Sequence, residues 1–393
     1  MAPHTGSAGS EPATDVALSA HSPPATAGFP PVPPRVALAS ISRRGRDGVS
    51  HVARLLHRSL QDIAGAPPPT VDLEPRSPGR VSLLERASFA ARVAIAQRPN
   101  AAQCVLYGHL GIARAQRLLP SALRRPYGVF LHGVEVWDAP LGDGLQRLLS
   151  GAAVLVSNSH FTAHRVMALY PSVGRVDACP LALLPDEPPH DEPIDLELLG
   201  RVSERSALIV GRMSSSERYK GHDLLLDAWP AVRARVPHAQ LVVVGRGDDV
   251  ERLRERAHAA GLADALLFCG GVTDATLAAL YRRVALFTMP SRGEGFGIVY
   301  LEAMRAGLAC VASREDGAVD VVEDGRTGAL VSTRDGSELA RVVGELLADP
   351  FRARALGEAG RRRYLDNFTY PRFRERLRDI LTRGFAPGRR GPR

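Results

Sequence analysis

A chain of 393 residues that is 45% hydrophobic can bury more than one core, and two domains are the natural expectation. No run of 18 or more apolar residues is present, which excludes a membrane-spanning helix from the sequence reading. The formal charge of +8 permits attraction to nucleic acid, anionic lipid or phosphorylated small molecules without choosing among them.

In chain order, residues 1–34 are rich in Ala, Pro, Ser, Gly and Thr and lack both a basic n-region and an apolar core. They read as a disordered leader and not as a secretory signal. Folded sequence starts with a buried-strand pattern over 35–40, a polar glycine turn over 44–48 and a helical stretch over 49–60. Further strands are expected at 102–107, 127–132 and 153–157, each followed by helix-like sequence, giving a first domain over 35–184. Strands alternating with helices predict a parallel sheet covered on both faces. A proline- and acid-rich stretch, 185–193, interrupts this rhythm and opens a linker taken to residue 205.

The rhythm restarts with strands at 207–210, 240–244, 265–269, 284–289, 309–312 and 329–331, giving a second domain over 206–365. The last segment, 366–393, holds an amphipathic basic helix at 370–383, with Phe373, Leu377, Ile380 and Leu381 on one face, and a basic tail. Cys104, Cys179, Cys269 and Cys310 show no CxxC spacing. They read as small buried residues in a reducing cytosol, forming neither a disulfide framework nor a zinc site. The basic run at 361–363 and the tail at 389–393 read as solvated charge. Two such α/β domains would face each other across a cleft at the carboxyl ends of their strands, where nucleotides bind.

Two places carry chemistry. Lys220 is the single lysine among 50 basic residues, and it follows the apolar run 207–210 and the turn Gly211-Arg212. A compact ammonium held beside a strand-to-glycine turn suits a phosphate. The strand at 284–289 ends at Pro290, and Pro290-Ser291-Arg292-Gly293-Glu294-Gly295-Phe296-Gly297 then leads into a helix. Glycines let backbone approach a ligand, and a helix start offers free N–H groups and partial positive charge. Glu294 in the loop and Glu302 in the helix add carboxylates that accept hydrogen bonds from vicinal hydroxyls, the groups that sugars and riboses present.

Glu294 and Glu302, set in this proline–glycine–helix block and followed by Ala303-Met304 and Gly307, resemble the signature of retaining glycosyltransferases of family 4. That family has the GT-B fold, an α/β architecture of two Rossmann-like domains facing across a cleft, and the resemblance covers most of 206–365. Gly211-Arg212 with Lys220-Gly221 is similar to its diphosphate-binding pair, and Gly245-Arg246-Gly247 to its second glycine turn. The resemblance implies that Arg212 and Lys220 hold the donor diphosphate and offset charge on the leaving group. It implies that Glu302 binds the ribose, that Glu294 and the amides of Phe296 and Gly297 bind the transferred sugar, that Gly295 and Ile298 belong to the same donor-binding segment, and that the base rests near Gly270-Gly271-Val272. His132, in His132-Gly133 after a strand, resembles the acceptor-domain histidine that approaches the donor sugar, with His109 a second candidate. Gly48 resembles the glycine loop that backs the diphosphate, although the usual double glycine is absent; Ser157-Asn158-Ser159 is read as structural.

One segment departs from the pattern. The family often has Gly-Gly-x-x-Glu where this chain has Asp316-Gly317-Ala318-Val319-Asp320, and the extra acid alters what reaches the donor sugar. No Asp-x-Asp triplet is present to bridge a metal to a nucleotide diphosphate, so metal-independent transfer without a further cofactor is expected. The implied enzyme is a hexosyltransferase using a UDP- or GDP-sugar, acting on a glycan, lipid-linked or small-molecule acceptor with retention of configuration. It would work in the cytoplasm, peripheral to an anionic membrane surface. Rival readings are a nucleotide-sugar epimerase or phosphorylase on a similar fold, and an arginine-rich nucleic-acid binder. The glutamate block argues against the first, the commitment of the only lysine against the second, and the absence of a zinc motif or aromatic-basic signature against the third. No nucleic-acid partner is expected.

Overall fold

The computed structural model describes residues 34–386 apart from 46, 75–80, 99, 138–139 and 186–191. The expected leader up to residue 33, most of the proline- and acid-rich stretch and the arginine-rich tail lie outside the described residues.

Two six-stranded sheets organise the chain. The first contains β1 (Val36–Ile41), β2 (Thr70–Leu73), β3 (Cys104–Tyr107), β4 (Tyr127–Leu131), β5 (Val154–Ser157) and β6 (Asp177–Ala178) in the order β2-β1-β3-β4-β5-β6. The second contains β7 (Ser206–Val210), β8 (Gln240–Val244), β9 (Leu266–Gly270), β10 (Leu286–Met289), β11 (Ala309–Ser313) and β12 (Gly328–Val331) in the order β12-β11-β10-β7-β8-β9. All pairings between these strands are parallel. Period-two alternation explains how both faces are buried: in β1, Val36 and Leu38 join the core on one side and Ala37 and Ala39 the core on the other.

Strand order also decides where a ligand can sit. In the second sheet the chain winds outward from β7 through β8 and β9, then returns to pair β10 with β7 on the other side. The turns leaving β7 and β10 therefore open side by side at the topological switch point. These turns carry Lys220 and Glu294, which are 74 positions apart.

Residues 192–205, assigned to a linker by sequence, include the short helix Leu196–Gly200 and are tied to the second sheet's layer. The Asp195 N–H donates to Thr276 Oγ1 at 3.0 Å, and the Asp274 N–H to Glu192 Oε2 at 3.0 Å. The chain's last described helix, Tyr370–Gly384, returns to the first sheet. Its predicted apolar face of Phe373, Leu377, Ile380 and Leu381 is buried, and the Tyr370 hydroxyl donates to Asp62 Oδ2 at 2.7 Å. Cys104, Cys179 and Cys310 are buried and Cys269 half-buried, all as free thiols. Burial pushes the thiols of Cys104 and Cys179 up to about 12, so they behave as small hydrophobes.

Candidate active site at the facing strand ends

The second-sheet side is built from two turns. After β7 comes the short 3₁₀ segment Ser215–Lys220, whose cap Ser214 accepts from the Ser216 N–H. Gly221 ends it at φ +91°, and a Cβ there would lie 2.4 Å from the Pro290 carbonyl oxygen, so only glycine lets this turn lie against the end of β10. That contact brings Lys220 Nζ to 2.6 Å from Glu294 Oε1 and 4.0 Å from Glu217 Oε2. Glu217 in turn pairs with the Arg212 guanidinium. The result is an alternating row, Glu294–Lys220–Glu217–Arg212. Its first three side chains are less than a fifth exposed, whereas Arg212 is 63% exposed. Burial would lower the Lys220 pKa, but Glu294 and Glu217 outweigh it and hold the ammonium at about 12.

The β10 turn is stiffened from beneath by Asp316, which is 1% exposed. Its Oδ2 accepts from the Glu294 N–H at 3.1 Å and from the Ser291 hydroxyl, and its Oδ1 accepts from the Ala318 N–H at 3.0 Å. Burial still pushes this carboxyl up to about 7, because the donors to it compensate only in part. The helix Ile298–Arg305 follows, with Gly297 at its N-cap and no side-chain cap on its first turn. Phe296 points into the core against the Phe368 ring, so whatever it offers a ligand is backbone. Glu302, one and a half turns on, accepts from the Tyr281 hydroxyl at 2.8 Å. Burial raises the pKa of both groups, and the Tyr281 proton stays on the phenol.

The first-sheet side contributes His132, immediately after β4. Its ring Nε2 lies 2.7 Å from the Gly108 carbonyl, which can only accept; Nε2 therefore carries the proton and Nδ1 is left as the acceptor. Its own N–H donates to Glu135 Oε1 at 2.6 Å. His109, the other histidine candidate, lies 5.3 Å away ring to ring, and burial drives its pKa down to about 4, assisted by His132. His109 accepts from the Gly111 N–H at 2.9 Å, the contact of a helix cap.

The two sides touch through backbone. The His132 carbonyl accepts from Asn158 Nδ2 at 2.6 Å, and a Cβ on Gly295 would sit 1.7 Å from that same carbonyl oxygen. Thr162 Oγ1 donates to the Gly295 carbonyl at 3.4 Å, and the Phe161 N–H donates to Asp320 Oδ2 at 3.0 Å. Asp316 and Asp320, the acids of the departing segment, are thus both engaged by protein donors, one inside the loop and one across the cleft.

The structure therefore gathers His132, Arg212, Lys220, Glu294 and Gly295 into one contact set, with Phe296, Gly297 and Ile298 continuing it into the helix. Gly48 stands outside that set as the first residue of the helix Gly48–Ala64, beside the cap formed by Asp47 and the Ser50 N–H. Val272 packs against the core beyond β9, where Arg246 donates to the Gly271 carbonyl at 3.3 Å. Glu302 is held separately by Tyr281. Sequence reading missed Glu217 and Tyr281; it read Asn158 as structural, and the structure has Asn158 donating to the His132 carbonyl. It singled out Asp316 and Asp320 only as a departure, and that departure was the signal available.

Residues 204–349 match the family described as glycosyl transferases group 1. A GDP-mannose-dependent alpha-(1-6)-phosphatidylinositol monomannoside mannosyltransferase of Mycobacterium tuberculosis is 32% identical over 327 residues, covering 80% of each chain. The protein of that description from Mycolicibacterium smegmatis is 34% identical over 261 residues, covering 64% of this chain and 68% of its own. Among solved structures, Anabaena HepE in complex with UDP and glucose aligns with a TM-score of 0.68 at 17% identity, over 89% of this chain and 99% of that one. Sucrose-phosphate synthase from Thermosynechococcus elongatus aligns with a TM-score of 0.69 at 21% identity, over 90% and 100%. These likenesses, with the two parallel sheets, establish the expected GT-B fold.

Proposed function

The chain belongs to the group 1 glycosyltransferases, and we propose that within this family it moves mannose from GDP-mannose to a glycolipid acceptor. We propose further that transfer retains configuration, needs no metal, and takes place on the cytoplasmic face of a membrane. The observation that carries the reading is the row Glu294–Lys220–Glu217–Arg212 at the switch point, facing His132. Similarity to GDP-mannose-dependent relatives over 80% of the chain supports the choice of donor.

Donor binding exchanges partners within that row. The diphosphate takes the ammonium of Lys220 and the exposed guanidinium of Arg212. Glu294 is released from Lys220 to accept from hydroxyls of the mannose, beside the amides of Phe296 and Gly297. Glu302, kept in place by Tyr281, takes the ribose hydroxyls, and the base rests along Gly270-Gly271-Val272. Nδ1 of His132 accepts from a sugar hydroxyl. The acceptor hydroxyl attacks the anomeric carbon from the leaving-group side as the bond to the diphosphate oxygen breaks. Its proton passes to that oxygen, whose negative charge the two cations stabilise. These fixed cations supply locally what a divalent ion supplies elsewhere.

Thermal shift against GDP, UDP, ADP and GDP-mannose tests the donor assignment. A nucleotide present at a hundred times its Kd stabilises the native state by about 2.7 kcal/mol. GDP and GDP-mannose should raise the melting temperature, and Glu302→Ala should abolish the rise. Stabilisation by UDP alone would transfer the assignment to a UDP-sugar, and a flat response to every nucleotide would sink it. The anomeric configuration of the product and turnover in the presence of a chelator test the other two parts.

A further inference from the structure

The turn between Arg212 and Lys220 holds a carboxylate that its own fold does not need. Glu217 lies in the segment Ser215–Lys220, at the one place where its backbone leaves helical values (φ −122°, ψ 26°). The chain on either side is anchored by other groups. The Ser215 N–H and hydroxyl donate to Asp248 at 3.0 and 2.6 Å, and the Arg218 guanidinium donates to Asp249 at 2.9 and 2.7 Å. The Arg292 N–H donates to the Tyr219 carbonyl at 2.8 Å, which ties the turn to the end of β10. The side chain of Glu217 takes no part in these contacts.

What Glu217 does touch is the pair of cations. Its Oε1 accepts from the Arg212 guanidinium, and its Oε2 lies 4.0 Å from Lys220 Nζ, too far for a hydrogen bond. Oε2 is buried and has no hydrogen-bond partner among the described residues. Leaving a carboxylate oxygen buried without a donor is costly, and such an atom in a native fold calls for a reason. Glu294, the other acid of the row, differs: it has the Lys220 ammonium at 2.6 Å and a loop fixed by Asp316. With Glu217 present, the formal charges of Glu294, Lys220, Glu217 and Arg212 sum to zero. A site shaped only to hold a diphosphate tightly would keep the cations and omit this second carboxylate.

We infer that Glu217 is an internal counter-anion of the diphosphate site, which competes with a bound nucleoside diphosphate for Arg212 and Lys220 and so speeds release of the product. This rests on the reading of those two cations as the diphosphate's partners. Donor and product share the diphosphate, so every contact that holds one also holds the other, and product release limits many enzymes. A carboxylate placed against the same cations loosens that shared hold. Glu217 touches no reacting atom and acts through its two neighbours.

Calorimetric titration of GDP into the full chain carrying Glu217→Gln tests it, because the amide keeps the shape and removes the charge. GDP should bind about tenfold tighter than to the parent, the scale of one charge-assisted contact, and dissociate more slowly. With GDP-mannose, KM and kcat should fall together, since a product held longer limits turnover. Glu217→Ala should show the same gain, so the result does not hang on one substitution. Glu217→Asp keeps the charge and should stay closer to the parent than to the amide variant. Affinity for GDP that is unchanged or weaker in both neutral variants overturns the inference and makes Glu217 a support for Arg212. An aspartate variant as tight as the amide overturns it too, since the gain would then follow shape. The donor reading fails separately: UDP binding in place of GDP, with the same gain in Glu217→Gln, upholds the inference and reassigns the base. No nucleotide binding in parent or variants sinks both.

Discussion

The two halves share a sheet plan and differ in how their strand ends are finished. In the second half the turns leaving β7 and β10 are pinned by side-chain charge, with Lys220 between Glu294 and Glu217, and by Asp316 inside the Glu294 loop. In the first half the matching edge is finished largely by backbone: the His132 carbonyl, the Gly108 carbonyl and the close approach of Gly295. A ligand that is mostly phosphate and hydroxyl needs fixed charges at fixed positions, and those residues must be specified individually. A side that receives a large acceptor can rely on shape. Under the proposed donor and acceptor assignment, the two substrates would be held by different physics.

Substitution of Lys220 should give the largest effect of breaking this contrast. A charge-assisted contact to the diphosphate is worth about 1.5–3 kcal/mol, so Lys220→Ala should lower kcat/KM by roughly tenfold to a hundredfold or more. It should also weaken stabilisation by GDP. Steady-state kinetics with GDP-mannose decide this, and a loss smaller than tenfold would remove Lys220 from the diphosphate site.

Gly295→Ala attacks the backbone joint instead. Its Cβ would lie 1.7 Å from the His132 carbonyl oxygen, so the two halves would have to part locally. With the Lys220–Glu294 pair untouched, GDP should still stabilise the variant while kcat falls by about tenfold, the cost of displacing reacting groups by a fraction of an ångström to an ångström. Wild-type turnover in this variant would show that the contact between His132 and Gly295 is incidental to transfer.

The same contrast explains what was legible in the sequence. All six strands of the second half announced themselves as short runs of mostly apolar residues, and four of them, β7 to β10, are closed by glycine or proline. In the first half β2 follows prolines at 67, 68 and 69 and reads Thr-Val-Asp-Leu, and β6 is two residues long, so neither carries a periodic signal. Lys220 and Glu294 were legible because glycine spacing marks a turn that must approach something closely. The role of Asp320 was not, because its partner lies in the other half; the Phe161–Asp320 contact spans 159 positions. Local sequence carries no trace of a hydrogen bond whose other end is fixed only by the fold.

Asp316 offers the smallest effect and the finest test, because it asks whether the charged finish of the second half extends beneath its loop. Burial raises its carboxyl from the ordinary 3.8 to about 7, so between those values the folded protein holds a proton that the unfolded chain releases. Its contribution to stability is therefore complete below about 3.8 and is lost as pH rises toward 7. His109 and His222 act in the opposite sense. Burial lowers both from 6.5 to about 4, so the stability they contribute is complete above 6.5 and is lost as pH falls toward 4. The parent's thermal stability across this window sums these trends with those of the other shifted groups, among them His51 and His57, whose pKa values burial also lowers. Asp316→Asn removes one of them and keeps an acceptor for the Ala318 N–H. Its deficit in melting temperature relative to the parent should thus be widest at the acidic end and narrow steadily up to about pH 7, then stay constant. A deficit of the same size at every pH would mean that Asp316 titrates as an ordinary carboxylate, and that the Glu294 loop rests on its hydrogen bonds alone.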